Sequence, residues 1–387
     1  MKVVPTEIPE VLILEPKVFT DERGFFLNGT RVFLKGINRH DSWPATGRAI
    51  TRERAYADAE MIRSLGFNAV RTAHYPPTHW FLEACDELGL YVLDELPGWH
   101  DAYDTGVGIP LVSEMVRRDV NHPSIVAWAN GNEGGWNEDL IPSFYEHDLQ
   151  QRPVILPDTI HDGLDTKHYP TWSELEARLE GARWSGGDRW PEAMRRMLEP
   201  PSQVLPTEML HGLWDGGGGA SLADYFDRLR KSPRGAGFFL WAFADESVRR
   251  DMELDSAGNL APDGIVDAWR AWEASAFTVR SVLRPIVAVG TPRAGVLQLT
   301  NRFDATDLSS LASTWRWLAL PEAHDETLAI RDLGRGEGRT SAVAPGQVGS
   351  LIVGPPPTGA QVLEVSFTRP FDGREVSSQR IDLTSPG

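Results

Sequence analysis

Short apolar runs alternate with helical segments from residue 31 to about residue 245, and this alternation restricts the chain to few folds. Apolar residues at helical spacing within residues 52–65 and 80–88 predict helices between the runs. Strands separated by helices form a parallel sheet, and eight such units close into a barrel. We therefore predict the α/β class, with a (β/α)8 TIM barrel over residues 31–284. Its predicted strands are residues 32–37, 67–71, 90–93, 125–128, 153–156, 164–169, 204–207 and 237–243.

The character of the sequence changes after residue 285. Short alternating runs, separated by Gly, Pro and Asp, occupy residues 287–289, 295–301, 315–320, 349–353 and 362–367. Such a pattern is typical of an antiparallel β-sandwich of about 100 residues. We predict a C-terminal antiparallel β-sandwich over residues 285–387, with packing and support as its role. At the other end, residues 18–20 and 24–30 predict a hairpin that leads into the barrel.

Charge and cysteine content exclude several classes of partner. The formal net charge is −17, from 55 acidic and 38 basic residues, which argues against nucleic acid and anionic membranes because both need basic surfaces. No apolar run approaches the roughly 18 residues of a membrane span. Cys85 is the single cysteine, so an intramolecular disulfide is excluded. The first residues lack the apolar core of a signal peptide, which favours the cytoplasm. The oligomeric state stays open.

Two glutamates end apolar runs of the predicted barrel. Glu133 follows the fourth run and Glu208 the seventh. If both runs are parallel barrel strands, the two carboxylates converge on the carboxyl-end face, where the catalytic groups of such barrels collect. A pair of carboxyl groups in one cleft is the catalytic arrangement that most glycoside hydrolases use to cleave a glycosidic bond. Taken singly, a glutamate after an apolar run is more often an ordinary strand-end residue.

Longer motifs surround both glutamates. Residues 68–76 (NAVRTAHYP) and 90–95 (LYVLDE) resemble the first signature of family 2 glycoside hydrolases, and residues 121–133 (NHPSIVAWANGNE) resemble the second. Residues 207–211 (TEMLH) and 232–246 (SPRGAGFFLWAFADE) are similar to the nucleophile strand and the last barrel strand of the β-galactosidase branch. Motifs of this length are far more specific than either glutamate alone.

The resemblance covers about residues 18 to 380 and implies a retaining exo-β-glycosidase that hydrolyses a terminal β-linked neutral sugar, in the first place a β-galactosidase. It implies Glu208 as the nucleophile and Glu133 as the acid/base. Because the acid must carry a proton, we expect burial and the charge of Glu208 to raise the pKa of Glu133 toward roughly 6. The resemblance also implies substrate-binding roles for His40, Arg71, His74, Asn132, Tyr169, His211 and Trp241.

Some of these residues receive a more specific expectation from the resemblance. Arg71 is expected to keep Glu208 ionised, and Tyr169 to hydrogen-bond it. Asn132 is expected to bind the sugar 2-hydroxyl, and Trp241 to lie under the sugar ring. The resemblance further implies a cis peptide bond between Trp241 and Ala242. The alternative for Tyr169 is an ordinary strand-end aromatic, and for the histidines a structural hydrogen bond.

A metal-dependent enzyme is the first alternative. His40, His74, His168 and His211 follow predicted strands one, two, six and seven, and histidines at a barrel mouth can bind a catalytic metal. Against a barrel metallohydrolase, residues 38–41 (NRHD) contain no His-x-His pair. Residues 94–100 (DELPGWH) do not match the magnesium ligands of β-galactosidases. We therefore predict no required metal and no other cofactor.

Other specificities and another class of function also stay open. β-Mannosidase activity is one alternative, whereas β-glucuronidases use an Asn-x-Lys pair after the last strand, and residues 244–267 contain no lysine. The β-domains that precede the barrel in this family do not fit into residues 1–30, which we interpret as a remnant or linker. An acidic residue of those domains helps to form the sugar pocket. We therefore expect weak turnover, a high KM and loose discrimination between epimers, or a catalytically weak binding or scaffold protein.

Overall fold

The computed structural model describes residues 17–21, 23–181, 203–215, 219–321 and 329–384. Predictions for the rest of the sequence, including most of the N-terminal segment before residue 17, lie outside the described residues. Two compact units divide the chain. One contains the residues up to Glu60 together with Asn68–Ala271, and the other contains Met61–Phe67 and the residues from Trp272 onward.

A small antiparallel sheet precedes the barrel strands in the first unit. It consists of β1 (Val18–Asp21), β2 (Gly24–Leu27) and β3 (Thr30–Arg31). Phe25 is buried in the barrel core. Gln203 Nε2 donates to Asp21 O at 2.6 Å, and Arg31 Nη2 donates to Gly235 O at 3.0 Å. The predicted hairpin is therefore present and is fastened to the later barrel strands.

Eight parallel strands follow, with one short antiparallel addition. Six of them form one sheet in the order β12-β4-β5-β6-β7-β8, and β10 pairs with β11 in parallel. The β11 residue Val204 links to the start of β12, because its N–H donates to Arg234 O and its carbonyl accepts from Ala236 N–H. The strands are β4 (Leu34–Asn38), β5 (Ala69–Arg71), β6 (Tyr91–Trp99), β7 (Ile125–Asn132), β8 (Val154–Ile155), β9 (Ile160–His161), β10 (Leu164–Asp165), β11 (Gln203–Val204) and β12 (Gly237–Leu240).

Strands five to seven, β8, β10 and β11, are shorter than predicted. The hydrogen bonds between β8 and the segment before β10 involve side chains. Val154 N–H donates to Asp162 Oδ2 at 2.9 Å, and His161 Nδ1 donates to Val154 O at 2.7 Å. β11 ends before Pro206, which has no N–H to continue a ladder. The sequence did not predict β9, which pairs with β10 in an antiparallel hairpin.

The barrel interior is closely packed around side chains from most strands. Phe239 on β12 lies against Gly36 on β4, where a Cβ atom would come within 2.2 Å of the phenyl ring. Only glycine therefore leaves room for Phe239 at this level of the barrel. The buried members of this core are Phe25, Val32, Leu34, Ala69, Leu93, Val126, Ala127, Ala129, Ile155, Leu164, Leu205, Ala236 and Phe239.

Helices connect the barrel strands, and local capping sets several of their ends. Asp104 caps α3 by accepting Val107 N–H, and Thr171 with Glu174 forms a capping box at the start of α5. Gly89 ends α2 with φ 70°. In the described ranges, no helix is both long and apolar enough to cross a bilayer. The helices are α1 (Arg52–Ser64), α2 (His79–Leu88), α3 (Thr105–Asp119), α4 (Ile141–His147), α5 (Trp172–Leu179) and α6 (Leu222–Lys231).

A hairpin of β13 (Val248–Arg250) and β14 (Glu253–Asp255) follows β12, and the second unit then begins with α7 (Ala274–Val282). Two four-stranded antiparallel sheets make up that unit, in the orders β15-β16-β20-β19 and β18-β17-β21-β22. One apolar core contains residues of both sheets, including Leu297 and Trp317. The predicted antiparallel β-domain is confirmed. Its strands are β15 (Ile286–Arg293), β16 (Val296–Asn301), β17 (Ala312–Ala319), β18 (Arg331–Glu337), β19 (Arg339–Thr340), β20 (Val348–Ile352), β21 (Val362–Thr368) and β22 (Glu375–Asp382).

Candidate active site

The two predicted glutamates meet at the carboxyl-end face of the barrel. Glu133 directly follows β7, with φ 43°, and Glu208 follows the seventh barrel strand. Glu208 is almost completely buried, whereas Glu133 is half-buried. One carboxylate oxygen of each lies within 4.8 Å of the other, so the two side chains face one cleft.

Glu208 is held as a carboxylate by its neighbours. Arg71 Nη1 donates to Oε1 at 2.6 Å, and the hydroxyl of Tyr169 donates to Oε2 at 2.7 Å. Burial by itself raises the pKa of Glu208, but the positive charges of His168 and Arg71 and the hydrogen bond from Tyr169 outweigh it and lower that pKa. An ionised, oriented carboxylate is what a nucleophile at this position requires.

Arg71 organises the floor of the site. Its guanidinium is fully buried, and besides Glu208 it donates to Glu95 Oε2 at 2.6 Å, Asn132 Oδ1 at 2.6 Å and Asn38 Oδ1 at 3.0 Å. The planar fork of donors fixes these oxygens relative to one another. Because Asn132 gives its oxygen to Arg71, its amide NH2 is the group that remains to donate to a ligand.

Glu133 has an environment that corrects one prediction. His168 Nδ1 lies 3.0 Å from Glu133 Oε1, and Trp99 Nε1 donates to Oε2 at 2.9 Å. The hydrogen bond with His168 is the main reason that the pKa of Glu133 falls to about 2, although partial burial opposes this. The expected increase toward roughly 6 was wrong, because it considered burial and Glu208 without the two donors that stabilise the carboxylate.

The remaining predicted residues surround Trp241 at the rim of the same cleft. The His74 ring stacks on Trp241 with centroids 5.2 Å apart, and His211 does so at 6.3 Å. His40 meets the same indole edge-on at 5.5 Å. The peptide between Trp241 and Ala242 is cis, as predicted, and so is the peptide between Ala73 and His74. The structure thus brings all nine predicted site residues to one end of the barrel.

Four further side chains belong to this site but were not among the predicted catalytic or substrate-binding residues. Glu95 accepts from Arg71 and contacts His74 Nδ1 at 2.8 Å. Asp263 accepts from Trp241 Nε1 at 2.8 Å, and burial raises the pKa of Asp263 to about 7. The other two, Trp99 and His168, hold Glu133. Glu95 could have been found, since it follows predicted strand three as Glu133 follows predicted strand four. His168 was noted after predicted strand six, but only as a metal ligand in the alternative of a metal-dependent enzyme, and no local pattern indicates Trp99 or Asp263.

Two of the predicted histidines lie beside carboxylates. His40 Nδ1 lies 2.5 Å from Glu246 Oε1, and His74 Nδ1 lies beside Glu95. Among the described residues, the group with the spacing of a metal site is Glu133, His168 and Glu208, which contains one of the four histidines. Its atoms also take part in the hydrogen bonds described above.

Comparison with known proteins identifies relatives of the barrel. A model described as glycosyl hydrolases family 2, TIM barrel domain, matches residues 18–261. A β-galactosidase of Yersinia enterocolitica is 30% identical over 249 residues, covering 59% of this chain and 23% of that protein. A β-galactosidase of Streptococcus thermophilus is 30% identical over 260 residues, covering 58% of this chain and 25% of that protein. The chain spans about a quarter of the length of these relatives.

Solved structures share the fold. The β-glucuronidase from Ruminococcus gnavus in complex with uronic isofagomine aligns with a TM-score of 0.54 at 19% identity, covering 69% of this chain and 53% of that one. The β-glucuronidase of Parabacteroides merdae aligns with a TM-score of 0.53 at 16% identity, covering 94% and 51%. These similarities concern the fold alone. Since the family model matches more than half of the 387 residues, the chain belongs to glycosyl hydrolase family 2 and contains the TIM-barrel domain of that family.

Proposed function

We propose that this protein is a retaining exo-β-glycosidase, with β-galactosides as its first substrate class. The observation that carries the proposal is the pair of carboxylates, Glu133 and Glu208, with oxygens within 4.8 Å of each other at the barrel mouth. Retaining enzymes hold their carboxyl groups about 5 to 5.5 Å apart, whereas inverting enzymes need about 6.5 to 9.5 Å for a water molecule between them.

In the proposed reaction, Glu208 attacks the anomeric carbon while Glu133 delivers a proton to the departing oxygen. The product of this step is a glycosyl ester on Glu208, which water then hydrolyses with Glu133 as the base. Arg71 and Tyr169 orient the nucleophile through the bonds at 2.6 and 2.7 Å. The amide of Asn132, whose oxygen is fixed by Arg71, donates to the sugar 2-hydroxyl. Trp241 supports the apolar face of the sugar ring.

The charge of the pocket supports a neutral sugar over a uronic acid. Asp263 and Glu246 lie next to Trp241 and His40, and residues 244–267 contain no lysine that could bind a substrate carboxylate. An anionic sugar would meet further carboxylates at this point, which is unfavourable in a partly buried site. The β-galactosidase names of the relatives support the same choice, although the structural neighbours are β-glucuronidases.

The test is a panel of nitrophenyl β-glycosides combined with a fluoro-sugar that traps the glycosyl ester. We expect hydrolysis of the galactoside above the mannoside and glucuronide, and a mass increase on the peptide that contains Glu208. The Glu208→Gln variant is the control and should show neither hydrolysis nor labelling. Absence of hydrolysis across the panel, with no labelled peptide, would reject an enzymatic role and favour a binding or scaffold protein. Labelling with preference for another sugar would keep the mechanism and change the specificity.

A further inference from the structure

His168 lies between the two catalytic glutamates without a role in the mechanism just described. Its side chain is almost completely buried, and Nδ1 lies 3.0 Å from Glu133 Oε1 and 3.5 Å from Glu208 Oε2. The backbone N–H of His168 donates to Asp158 Oδ1 at 3.0 Å, which fixes the position of the residue. The imidazole therefore faces both carboxylates through the same ring nitrogen.

The second ring nitrogen determines the protonation pattern of this ring. His168 Nε2 lies 2.9 Å from Thr207 Oγ1, and the hydroxyl of Thr207 donates to Thr166 O at 3.1 Å. A hydroxyl has one hydrogen, so Thr207 Oγ1 must accept at the contact with His168. Nε2 consequently carries a hydrogen in either charge state of the ring.

It follows that the contact between His168 and Glu133 needs a second proton. Without it, an unprotonated Nδ1 and a carboxylate oxygen would face each other at 3.0 Å with lone pairs only. The proton resides either on Nδ1, as an imidazolium beside a carboxylate, or on Glu133, as a carboxyl group that donates to Nδ1. We infer that His168 and Glu133 hold the catalytic proton jointly, and that His168 is a positioning residue which stores it until Glu133 transfers it.

This inference rests on the proposed function. In the free site, Nδ1 of His168 carries the proton and both glutamates are ionised. As the glycosidic C–O bond breaks and Glu208 bonds to the anomeric carbon, the proton on Nδ1 moves to Glu133, and Glu133 passes it to the leaving oxygen. The leaving group departs as an alcohol, and the ring becomes neutral. In the second step Glu133 takes a proton from the attacking water, the ester bond to Glu208 breaks, and the proton returns to Nδ1.

The charge balance supports storage on the ring. Before the reaction, two carboxylates face a cationic ring. Afterwards Glu208 is a neutral ester, the ring is neutral and Glu133 is ionised, so the net charge of the three groups stays the same. Loss of the charge on Glu208 removes one of the two groups that favour the imidazolium. The other titratable or charged groups around this centre are Arg71, His74, Glu95, His100, Asp158, Lys167, Tyr169 and His211.

Nitrogen-15 NMR of histidine-labelled protein tests the inference directly. The His168 resonances are assigned by their loss in His168→Gln. We expect Nε2 to stay protonated, and Nδ1 to carry its proton in the free protein at neutral pH and to lose it when a fluoro-sugar is trapped on Glu208. A free protein in which Nε2 is the unprotonated nitrogen, or an Nδ1 signal that trapping leaves unchanged, would overturn it.

Kinetics provides the second readout, with His168→Gln and Thr207→Val as the variants. Glutamine can still hydrogen-bond Glu133 but cannot store a proton. We expect kcat/KM for glycosides with poor leaving groups to fall by about 10- to 100-fold, a part of the effect of general acid catalysis. Dinitrophenyl glycosides should change less, and the alkaline limb of the pH profile should move to lower pH because Glu133 alone holds the proton less tightly. Thr207→Val should move the limb in the same direction.

These outcomes separate the inference from the proposed function. If the unaltered protein hydrolyses glycosides and is labelled on Glu208, but His168→Gln keeps the same alkaline limb and the same loss on both substrate types, the inference is wrong and the function stands. If the unaltered protein is inactive and unlabelled, the proposed function is wrong.

A second inference comes from an independent feature, the exposed indole of Trp99. The residue is 62% exposed although its Nε1 donates to Glu133 Oε2. The backbone of Trp99 packs closely against the loop that follows Glu133, and glycines make this approach possible. A Cβ on Gly135 would lie 2.4 Å from Trp99 N, and a Cβ on Gly98 or Gly131 would lie 2.2 Å from Gly135 O. The hydrogen bond thus holds the indole beside Glu133, while most of the indole surface faces solvent.

The geometry points to Trp99 as the binding platform for the leaving group. The leaving group that receives the proton of Glu133 must lie beside that carboxyl group. Trp99 is an exposed ring that is hydrogen-bonded to the same carboxyl group. A flat apolar face, either of a pyranose ring or of an aromatic alcohol, is the chemistry that an indole binds. This inference also rests on the proposed role of Glu133.

Comparison of nitrophenyl glycosides with glycosyl fluorides tests the platform, since fluoride offers no ring. In Trp99→Leu we expect the KM ratio of nitrophenyl glycoside to fluoride to rise about 3- to 10-fold, the size of an aromatic contact. Trp99→Phe keeps a ring but loses the N–H, so kcat should fall while this KM ratio stays near that of the unaltered protein. Equal KM changes for both substrate types in Trp99→Leu, with Glu208 still labelled, would overturn the platform and leave the function intact.

Discussion

At the scale of single residues, Glu133 and Glu208 have the same chemistry and different surroundings. Glu208 is buried against Arg71 and Tyr169, whereas Glu133 is half-buried and held by His168 and Trp99. We expect Glu133→Ala to lower the rate of hydrolysis of substrates with poor leaving groups by about 100- to 10,000-fold, since general acid catalysis contributes a factor of that size. Activated aryl glycosides should lose less, and added azide should yield a β-glycosyl azide in the space left by the carboxylate.

The matched control for this prediction is Glu208→Ala, which should abolish turnover of both substrate types because the covalent step is lost. Kinetics on a poor and a good leaving group, with product analysis by mass spectrometry, distinguishes the two variants. An equal loss on both substrates in Glu133→Ala, without azide product, would count against Glu133 as the acid/base.

At the scale of elements, the contact between β4 and β12 shows how barrel packing depends on one missing side chain. Gly36 leaves room for the Phe239 ring, which a Cβ would meet at 2.2 Å. We expect Gly36→Ala to lower the free energy of unfolding by about 1 to 3 kcal/mol, the range for overpacking a close-packed interior. Urea unfolding followed by tryptophan fluorescence measures it.

A double-mutant cycle identifies the cause of that loss. Phe239→Leu alone should cost stability through the cavity it leaves, but in combination with Gly36→Ala the smaller side chain relieves the clash. The double variant should therefore lose less unfolding free energy than the sum of the losses in the two single variants. Additive losses would show that Gly36 matters for another reason, such as backbone conformation.

At the scale of the whole barrel unit, one buried carboxylate joins distant parts of the chain. Asp58 on α1 accepts from Arg39, after β4, at 2.8 and 3.0 Å and from Arg270 at 2.9 and 3.1 Å. Burial raises the pKa of Asp58, but the two arginines outweigh burial and lower that pKa. We expect Asp58→Asn to cost about 3 to 5 kcal/mol at neutral pH, because it removes the carboxylate that pairs with the buried Arg270 and leaves the buried Arg39 with Asp41 alone.

The pH dependence of this effect follows from the direction of the shift. A lowered pKa in the folded state means that the contribution of Asp58 is complete above its unfolded pKa, about 3.9, and is lost as the pH falls through the folded value. The difference in unfolding free energy between the unaltered protein and Asp58→Asn should therefore shrink only in strongly acidic solution. Urea titrations at several pH values measure it, and a constant difference down to the acid limit would contradict this account.

Local patterns in the sequence were sufficient for most of the barrel strands and for the position of the two glutamates. The runs before Glu133 and Glu208 are apolar because parallel barrel strands are buried on both faces, and a strand end places its next residue at the barrel mouth. The motif around Trp241 likewise sufficed for its cis peptide and its place in the cleft. The polar sixth strand was harder, since only Leu164–Asp165 is paired and β9 adds a hairpin that no periodicity indicates.

The ionisation of Glu133 was decided by the tertiary structure alone, whereas the family resemblance already implied the contacts of Arg71 and Tyr169 with Glu208. His168 reaches Glu133 across 35 positions of sequence. A periodic pattern reports which face of an element is buried, but it carries no information about which polar group of another strand lies opposite a given carboxylate. The prediction for the pKa of Glu133 therefore had the wrong sign, while the choice of Glu133 as a candidate site residue needed only its own strand and the motif that contains it.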